Sequence, residues 1–224
     1  RTNDAGTTAI FSVAVLGTMP FSYQWFWNGT NALVDRGKVS GARSASLTIS
    51  NLLGGDAASY TVVVSNILGS VAGSPPALLT VVDPVITAQP VDRTNAAGST
   101  AEFSVGAYGT SPGYQWFKNE APISGATDAT LTLAAVSAAD AGGYHVVVSN
   151  SYGSVTSRAA RLALAPEPTI ESVRFTNGIA VITWSSVPGQ AYRLQYKNTL
   201  GGTNWYDVLP DIVAVGPTTT VTNL

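Results

Sequence analysis

The stretch D-A-G-G-Y-H-V-V-V-S-N, from Asp140 to Asn150, decides the fold of this chain, and D-A-A-S-Y-T-V-V-V-S-N echoes it from Asp56 to Asn66. In both copies an acidic residue and a tight turn precede a tyrosine, after which apolar residues alternate. Alternation with period two predicts a β-strand with one buried face. A strand that starts at such a corner places its tyrosine hydroxyl within reach of upstream backbone. We therefore expect each copy to be a central strand of a β-sandwich.

The alternation divides the later strand between two faces. Tyr144, Val146 and Val148 share the face that we predict to be buried, whereas His145 and Val147 share the outer face. His145 is the only histidine of the chain, so a site with several histidine ligands is excluded. We expect a solvent-exposed histidine with no catalytic role.

The composition limits the possible classes of protein. Only 11% of the 224 residues are charged, which suits short strands and turns better than surface helices, and predicts an all-β chain. A net charge of −2 without a basic run disfavours nucleic acid as a partner. No apolar stretch reaches the roughly 20 residues of a membrane helix, so we expect no membrane insertion. The absence of cysteine excludes thiol catalysis and disulfides.

The chain aligns with itself at an offset of about 84 to 92 residues. Arg1-Thr2-Asn3 recurs as Arg93-Thr94-Asn95, and Tyr23-Gln24-Trp25-Phe26 recurs as Tyr114-Gln115-Trp116-Phe117. Turn residues separate short alternating segments at roughly 8 to 12 residues, the spacing of a sandwich. In the second copy this pattern predicts strands near 84–89, 99–108, 113–119, 129–135, 142–150 and 153–164.

Both copies resemble immunoglobulin domains of the I-set type, in the cysteine-free form found in large bacterial surface and secreted proteins. The resemblance covers residues 1 to 165 and rests on Phe103-Ser104-Val105, on Trp116, and on the series Asp140, Gly142, Tyr144, Val146 and Asn150. It implies tandem β-sandwiches. Valines stand where the resemblance would place the disulfide between the sheets, namely Val13, Val62, Val105 and Val146. Apolar packing around Trp25 and Trp116 is expected to replace that bond.

We predict three domains, at 1–82, 83–165 and 166–224. Val82-Asp83-Pro84 and Ala165 to Pro168 are short, proline-bearing linkers, which predict an extended, semi-rigid rod. The segment A-V-I-T-W-S-S-V-P-G-Q-A-Y-R-L-Q-Y, from Ala180 to Tyr196, is similar to two strands of a fibronectin type III module, with Trp184 and Tyr192 as core aromatics. Compared with a complete fibronectin type III module, we expect the third domain to be incomplete. Compared with the second copy, we expect the first domain to lack its first strand.

The sequence contains no recognisable catalytic or metal-binding motif. No carboxylate pair, calcium loop, nucleophile elbow or phosphate loop is present, so we expect no enzymatic activity, no cofactor and no metal site. Asp56 and Asp140 are interpreted as corner caps that accept hydrogen bonds from backbone N–H groups. The outward-facing apolar residues left over form a candidate contact surface: Phe26, Val63, Phe117, Val147, Trp205 and Tyr206.

Three hypotheses for the function remain. The first is a non-enzymatic structural or adhesive segment of a large secreted or cell-surface protein, bacterial by the resemblance, whose partner is a protein or glycan surface. Copies of the chain or neighbouring domains would complete its open sheet edges. The second is a set of accessory carbohydrate-binding modules of a secreted hydrolase. The third is an intracellular cytoskeletal immunoglobulin array.

Overall fold

The computed structural model describes residues 1–199 and 201–222. These residues are almost entirely β-strand and turn, so the predicted all-β class is confirmed. They form two compact units. The first unit comprises Arg1–Arg93, Glu102–Thr132 and Gly142–Arg161, and the second comprises Thr94–Ala101, Leu133–Ala141 and Leu162–Leu224.

The first repeat, residues 1–82, contains nine strands in two sheets. Its strands are β1 (Thr2–Asp4), β2 (Ala9–Ser12), β3 (Ser22–Trp27), β4 (Asn31–Ala32), β5 (Val39–Ser40), β6 (Ser46–Ile49), β7 (Ala58–Asn66), β8 (Gly69–Ala72) and β9 (Ala77–Val82). The larger sheet has the order β1-β9-β7-β3-β4, with β8 also paired to β7, and the smaller one has the order β2-β6-β5. Strands β1 and β9 run parallel.

The second repeat, residues 83–165, has a closely related strand order. Its strands are β10 (Val85–Ala88), β11 (Arg93–Asn95), β12 (Ala101–Ser104), β13 (Gly106–Tyr108), β14 (Gly113–Lys118), β15 (Ala121–Pro122), β16 (Thr130–Leu133), β17 (Gly142–Asn150), β18 (Gly153–Thr156) and β19 (Ala160–Leu164). The sheet order is β11-β19-β17-β14-β15 with β18 on β17, beside the pairs β12-β16 and β10-β13. Strands β11 and β15 were not predicted, since two or three residues are too few to show alternation.

Aromatic stacks form the cores, and the predicted inward faces are confirmed. Phe103 stacks on Tyr144 at 4.9 Å between ring centroids and lies 6.3 Å from Trp116. Phe11 makes the same contacts with Tyr60 and Trp25, at 5.1 and 6.3 Å. The valines at the expected disulfide positions pack in these cores. Val62, Val105 and Val146 are buried, and Val13 is partly buried against the first core.

The two predicted corner caps are confirmed. Short 3₁₀ turns at Gly54–Asp56 and Ala138–Asp140 lead into β7 and β17. Asp56 Oδ2 accepts a hydrogen bond from the Leu53 N–H at 2.8 Å, and Asp140 Oδ2 accepts one from the Ser137 N–H at 2.8 Å. The Tyr60 hydroxyl donates to the Asp56 carbonyl at 2.8 Å, as predicted for a strand that starts at such a corner.

The C-terminal region, 166–224, contains two small sheets. Strands β20 (Ile170–Thr176), β21 (Ile179–Ser185) and β24 (Thr218–Thr222) form one, and β22 (Ala191–Tyr196) and β23 (Tyr206–Val213) form the other. Trp184 is buried against Tyr192 at 6.1 Å between ring centroids, as predicted. Strand β24 has no clear signature in the sequence, because threonine supplies most of its residues and the hydrophobic alternation is weak.

Candidate functional site

The predicted contact residues of the two repeats lie on the outer faces of their larger sheets. Phe26 is paired with Thr61, and Val63 is paired with Gln24 two positions further along the same strand pair. Phe117 and Val147 are placed in the same way on β14 and β17. All four side chains are half-buried, so neither repeat exposes a broad apolar strip here.

His145 departs from its prediction. It lies on the outer face, as its parity requires, but the expectation of a solvent-exposed side chain is wrong, because only 9% of the residue is accessible. Its ring stacks on Phe117 with 5.0 Å between centroids and 2° between planes. The cross-strand pairing of β14 with β17 places these two rings face to face, which strand parity alone does not reveal.

The aromatic candidates of the C-terminal region are exposed. Trp205 is 57% accessible and Tyr206 is 42% accessible. The Lys197 ammonium lies 4.4 Å from the centroid of the Trp205 ring, a cation–π contact on one face of the indole. Tyr196 packs against Tyr206 with 5.5 Å between ring centroids.

Clusters that could hold a metal ion are absent from the residues that the structure describes. Within the same residues no helix is long and apolar enough to cross a membrane.

The most elaborate polar site is one that the sequence analysis interpreted only as a linker. Asp83 is 4% accessible, and its carboxylate lies where three distant segments of the first unit meet. Gly54 comes from the corner of the first repeat, whereas Thr110 lies between β13 and β14 of the second repeat and Asn150 ends β17. We call these four residues the junction site.

Four donor groups hydrogen-bond to the Asp83 carboxylate. The Gly54 N–H donates to Oδ2 at 2.7 Å, and the Asn150 side-chain amide donates to Oδ1 at 2.7 Å. Thr110 donates twice, from its N–H to Oδ1 at 2.9 Å and from its hydroxyl to Oδ2 at 2.6 Å. The site thus joins the two repeats through a charged group whose acceptor oxygens are both engaged.

Two tyrosines of the second repeat pack beside the junction site. The Tyr152 ring lies against Gly54, where a Cβ atom would come within 2.2 Å of the ring, so this approach requires glycine. Tyr108 packs on Gly6, and its hydroxyl donates to the Asn51 side-chain oxygen. The first repeat therefore presents a small-residue surface to two aromatic rings.

The environment of Asp83 stabilises its ionised form. Burial by itself raises the pKa of the carboxyl, but the hydrogen bonds from Thr110, Gly54 and Asn150 outweigh it and hold the pKa below its ordinary value of 3.8. Asp83 is therefore an anion at neutral pH.

Local patterns missed the junction site, yet the internal repeat carries a signal for it. Thr110 and Asn150 align with Thr18 and Asn66 of the first repeat, while the residues around them change. Polar turn residues kept in both copies suggest a shared local structure. Asp83 itself has no local signature, because its partners lie 27 to 67 residues away.

The strand order, the tryptophan-centred cores and the tyrosine corner define a tandem pair of immunoglobulin-type sandwiches. The family model of the immunoglobulin I-set domain matches residues 2–75 and 84–162, so the chain belongs to this family.

Comparison with known proteins finds relatives that are much longer than this chain. The chain is 38% identical over 86 residues to "Endoglucanase C" of Cellulomonas fimi, which covers 36% of this chain and 8% of that protein. It is 32% identical over 176 residues to "Protein sidekick" of Drosophila melanogaster, a match that covers 73% of this chain and 8% of that protein. Among solved structures, "Tandem Ig repeats of Dlar" matches with 28% identity over 73% of this chain and 92% of that one, at a TM-score of 0.36.

Proposed function

We propose that this chain is a non-enzymatic structural segment in which tandem β-sandwiches are held in a fixed succession within a larger secreted or cell-surface protein. The junction site carries the proposal. A flexible tether between two independent modules needs no buried charge, whereas Asp83 is buried and fully hydrogen-bonded between the repeats.

The surroundings of the acidic residues support a structural role. Asp56 and Asp140 bind backbone N–H groups at the corners, and Asp83 binds the junction donors. In the C-terminal region Arg193 makes a bidentate ion pair with Asp211 at 2.6 and 2.9 Å. These carboxylates are occupied as hydrogen-bond acceptors, an arrangement that favours stability over catalysis.

The extracellular and bacterial parts of the proposal rest on resemblance. Cysteine-free I-set repeats are typical of large bacterial surface proteins, and one of the relatives belongs to the bacterium Cellulomonas fimi. The fibronectin type III-like assignment of residues 166–224 is part of the same proposal. It is supported by the two separate sheets β20-β21-β24 and β22-β23, which are joined by the packing of Trp184 on Tyr192.

Nuclear spin relaxation of backbone amides tests the proposal. If the junction site holds the repeats as one body, amides of residues 1–82 and 83–165 report the same rotational correlation time. Asp83→Ala should give each repeat a shorter, separate value. Asp92→Ala is the matched control, because Asp92 accepts the Arg161 N–H within the second repeat and lies outside the junction site. Independent tumbling in the unmutated chain would contradict the proposal.

A second candidate function, glycan binding, is favoured by the exposed Trp205 and Tyr206 and by the match to an endoglucanase. Exposed aromatic rings stack on the faces of sugars. Lys197 covers one face of the Trp205 ring, which leaves the opposite face for such a contact. Retention on insoluble glucan that is lost in Trp205→Ala but kept in Phe175→Ala would support this function. Phe175 is a suitable control since it is 78% accessible and lies on β20, in a different sheet from Tyr206.

A further inference from the structure

The turns at one end of each repeat share two side-chain hydrogen bonds. We define the head end of the second repeat as residues 108–112 and 150–153, and that of the first repeat as residues 16–20 and 66–69. In the second repeat the Asn150 amide donates to the Thr110 carbonyl at 3.0 Å, and the Tyr152 N–H donates to Asn150 Oδ1 at 2.8 Å.

The first repeat forms the equivalent bonds. The Asn66 amide donates to the Thr18 carbonyl at 2.8 Å, and the Leu68 N–H donates to Asn66 Oδ1 at 2.9 Å. Thr18 and Asn66 therefore occupy the positions from which Thr110 and Asn150 bind the Asp83 carboxylate. The threonine and asparagine of a carboxylate-binding pair are already in place.

Exposure distinguishes the two head ends. Thr110 is half-buried beneath the first repeat, whereas Thr18 is exposed. Leu16 and Leu68 stand where the second repeat has Tyr108 and Tyr152, and they are 100% and 77% accessible. Both leucines line an open depression of about 300 Å³. Clustered apolar exposure of this kind marks an interaction surface.

We propose that the head end of the first repeat binds the tail of another I-set repeat joined ahead of it, as the head end of the second repeat binds the tail of the first. The partner's tail would carry an acidic residue followed by proline, like Asp83-Pro84. Its carboxylate accepts hydrogen bonds from the Thr18 N–H and hydroxyl and from the Asn66 amide. Its corner covers Leu68, and its residue equivalent to Gly6 covers Leu16.

The chain itself shows that such tails vary. The Ala165 N–H donates to the Asn95 carbonyl, which places Ala165 at the position of Val82, so Glu167-Pro168 follows one residue later than Asp83-Pro84. Ala138-Ala139 aligns with the Gly54-Gly55 corner. Glycine is needed at the first corner because the Tyr152 ring approaches closely. The smaller Leu68 of the first head end accommodates a corner that bears a Cβ atom. The inference rests on the proposed structural role and adds the chemistry of the partner to it.

A tandem duplication tests the inference. Residues 1–92 are placed directly ahead of Arg1 of the full chain, because Arg1 aligns with Arg93 and the added Asp83 then precedes the first repeat in native register. Hydrogen exchange of the Thr18 amide, followed by NMR, is expected to slow by roughly 10-fold or more relative to the unfused chain. Leu16 and Leu68 methyl signals should shift in the same sample.

Two variants of the added segment separate docking from simple attachment. Asp83→Ala in that segment should restore the fast exchange of Thr18, whereas Asp92→Ala should leave the protection intact. The Thr110 amide of the same molecule reports whether the original junction site remains formed. Unchanged Thr18 exchange in the duplication, or protection that survives Asp83→Ala, would overturn the inference. If protection of the Thr18 amide instead rose with the concentration of the unfused chain, the surface would bind a second copy of the chain. That result would also overturn the inference.

The test is independent of the relaxation experiment on residues 1–165. Loss of the proposed function would appear as separate tumbling of the two existing repeats. Failure of the inference would appear at Thr18 while the existing repeats still tumble together.

Discussion

The cores of the two repeats and the junction between them are built from opposite chemistry. Each core is an apolar stack of phenylalanine, tyrosine and tryptophan, and it is nearly the same in both copies. The junction site is polar and centred on one buried carboxylate. Its acid comes from the linker and its donors come from three other segments.

The difference shows how stability and arrangement are divided in this molecule. Burial of apolar area is non-directional and proportional to area, so a core tolerates changes at its edges while keeping its fold. Hydrogen bonds to a buried charge are directional and costly to leave unmade. The junction therefore determines the arrangement of one repeat on the next, and the cores provide the stability with which each repeat folds.

The largest expected effect comes from placing a charge in a core. Val146→Asp should destabilise the second repeat by more than about 4 kcal/mol, because an unpaired carboxylate would lie between the sheets. Val91→Asp in the same repeat is the matched control, since Val91 is 56% accessible. Thermal unfolding followed by circular dichroism measures both. Equal melting of Val146→Asp and the unmutated chain would contradict the inward assignment of β17.

Removing the junction carboxylate should have a smaller effect. Asp83→Ala leaves the Thr110, Gly54 and Asn150 donors without their acceptor, at a cost of about 2–3 kcal/mol at neutral pH.

The pH dependence sharpens this prediction. Since the pKa of Asp83 is lowered in the folded state, its contribution is complete above the unfolded pKa of about 4 and is lost as the pH falls through the folded value. The free energy of unfolding, measured with urea between pH 7 and pH 2, should therefore fall less in Asp83→Ala than in the unmutated chain. If the free energy of unfolding fell equally with pH in both proteins, the carboxylate would not be stabilised by the junction.

The smallest effect is expected at the tyrosine corner of the first repeat. Burial, with a contribution from Asp56, raises the pKa of Tyr60 to about 12 from 10.0. A raised pKa gives stability that is complete below pH 10 and is lost as the pH rises towards 12, so about 1 kcal/mol should disappear by pH 11. Tyr60→Phe should lack this alkaline component, and Tyr196→Phe, at a 49% accessible tyrosine, serves as control. An unchanged alkaline profile in Tyr60→Phe would contradict the assignment.

Sequence reasoning predicted the elements that have a local signature. The buried faces of β7 and β17 followed from period-two alternation, and the roles of Asp56 and Asp140 followed from their place before a tight turn. It failed where a feature depends on neighbours across a sheet. His145 lies on the face that its parity requires, but the Phe117 ring on the paired strand covers it.

The candidate contact surface was anticipated only in part. Strand parity places Phe26 and Phe117 on the outer faces, but how far they are covered depends on packing that alternation does not describe. Whether these residues, or Trp205 and Tyr206, contact a partner stays a prediction.

The sequence by itself determined that this protein is a tandem array of all-β sandwiches, because alternation, corner residues and an internal repeat are properties of neighbouring positions. Only the tertiary structure decided that Asp83 is a buried anion rather than a solvated linker residue. Its donors at Gly54, Thr110 and Asn150 converge from separate parts of the chain, and no local pattern encodes that meeting. Directional contacts between distant segments exist only once the cores that carry them have folded.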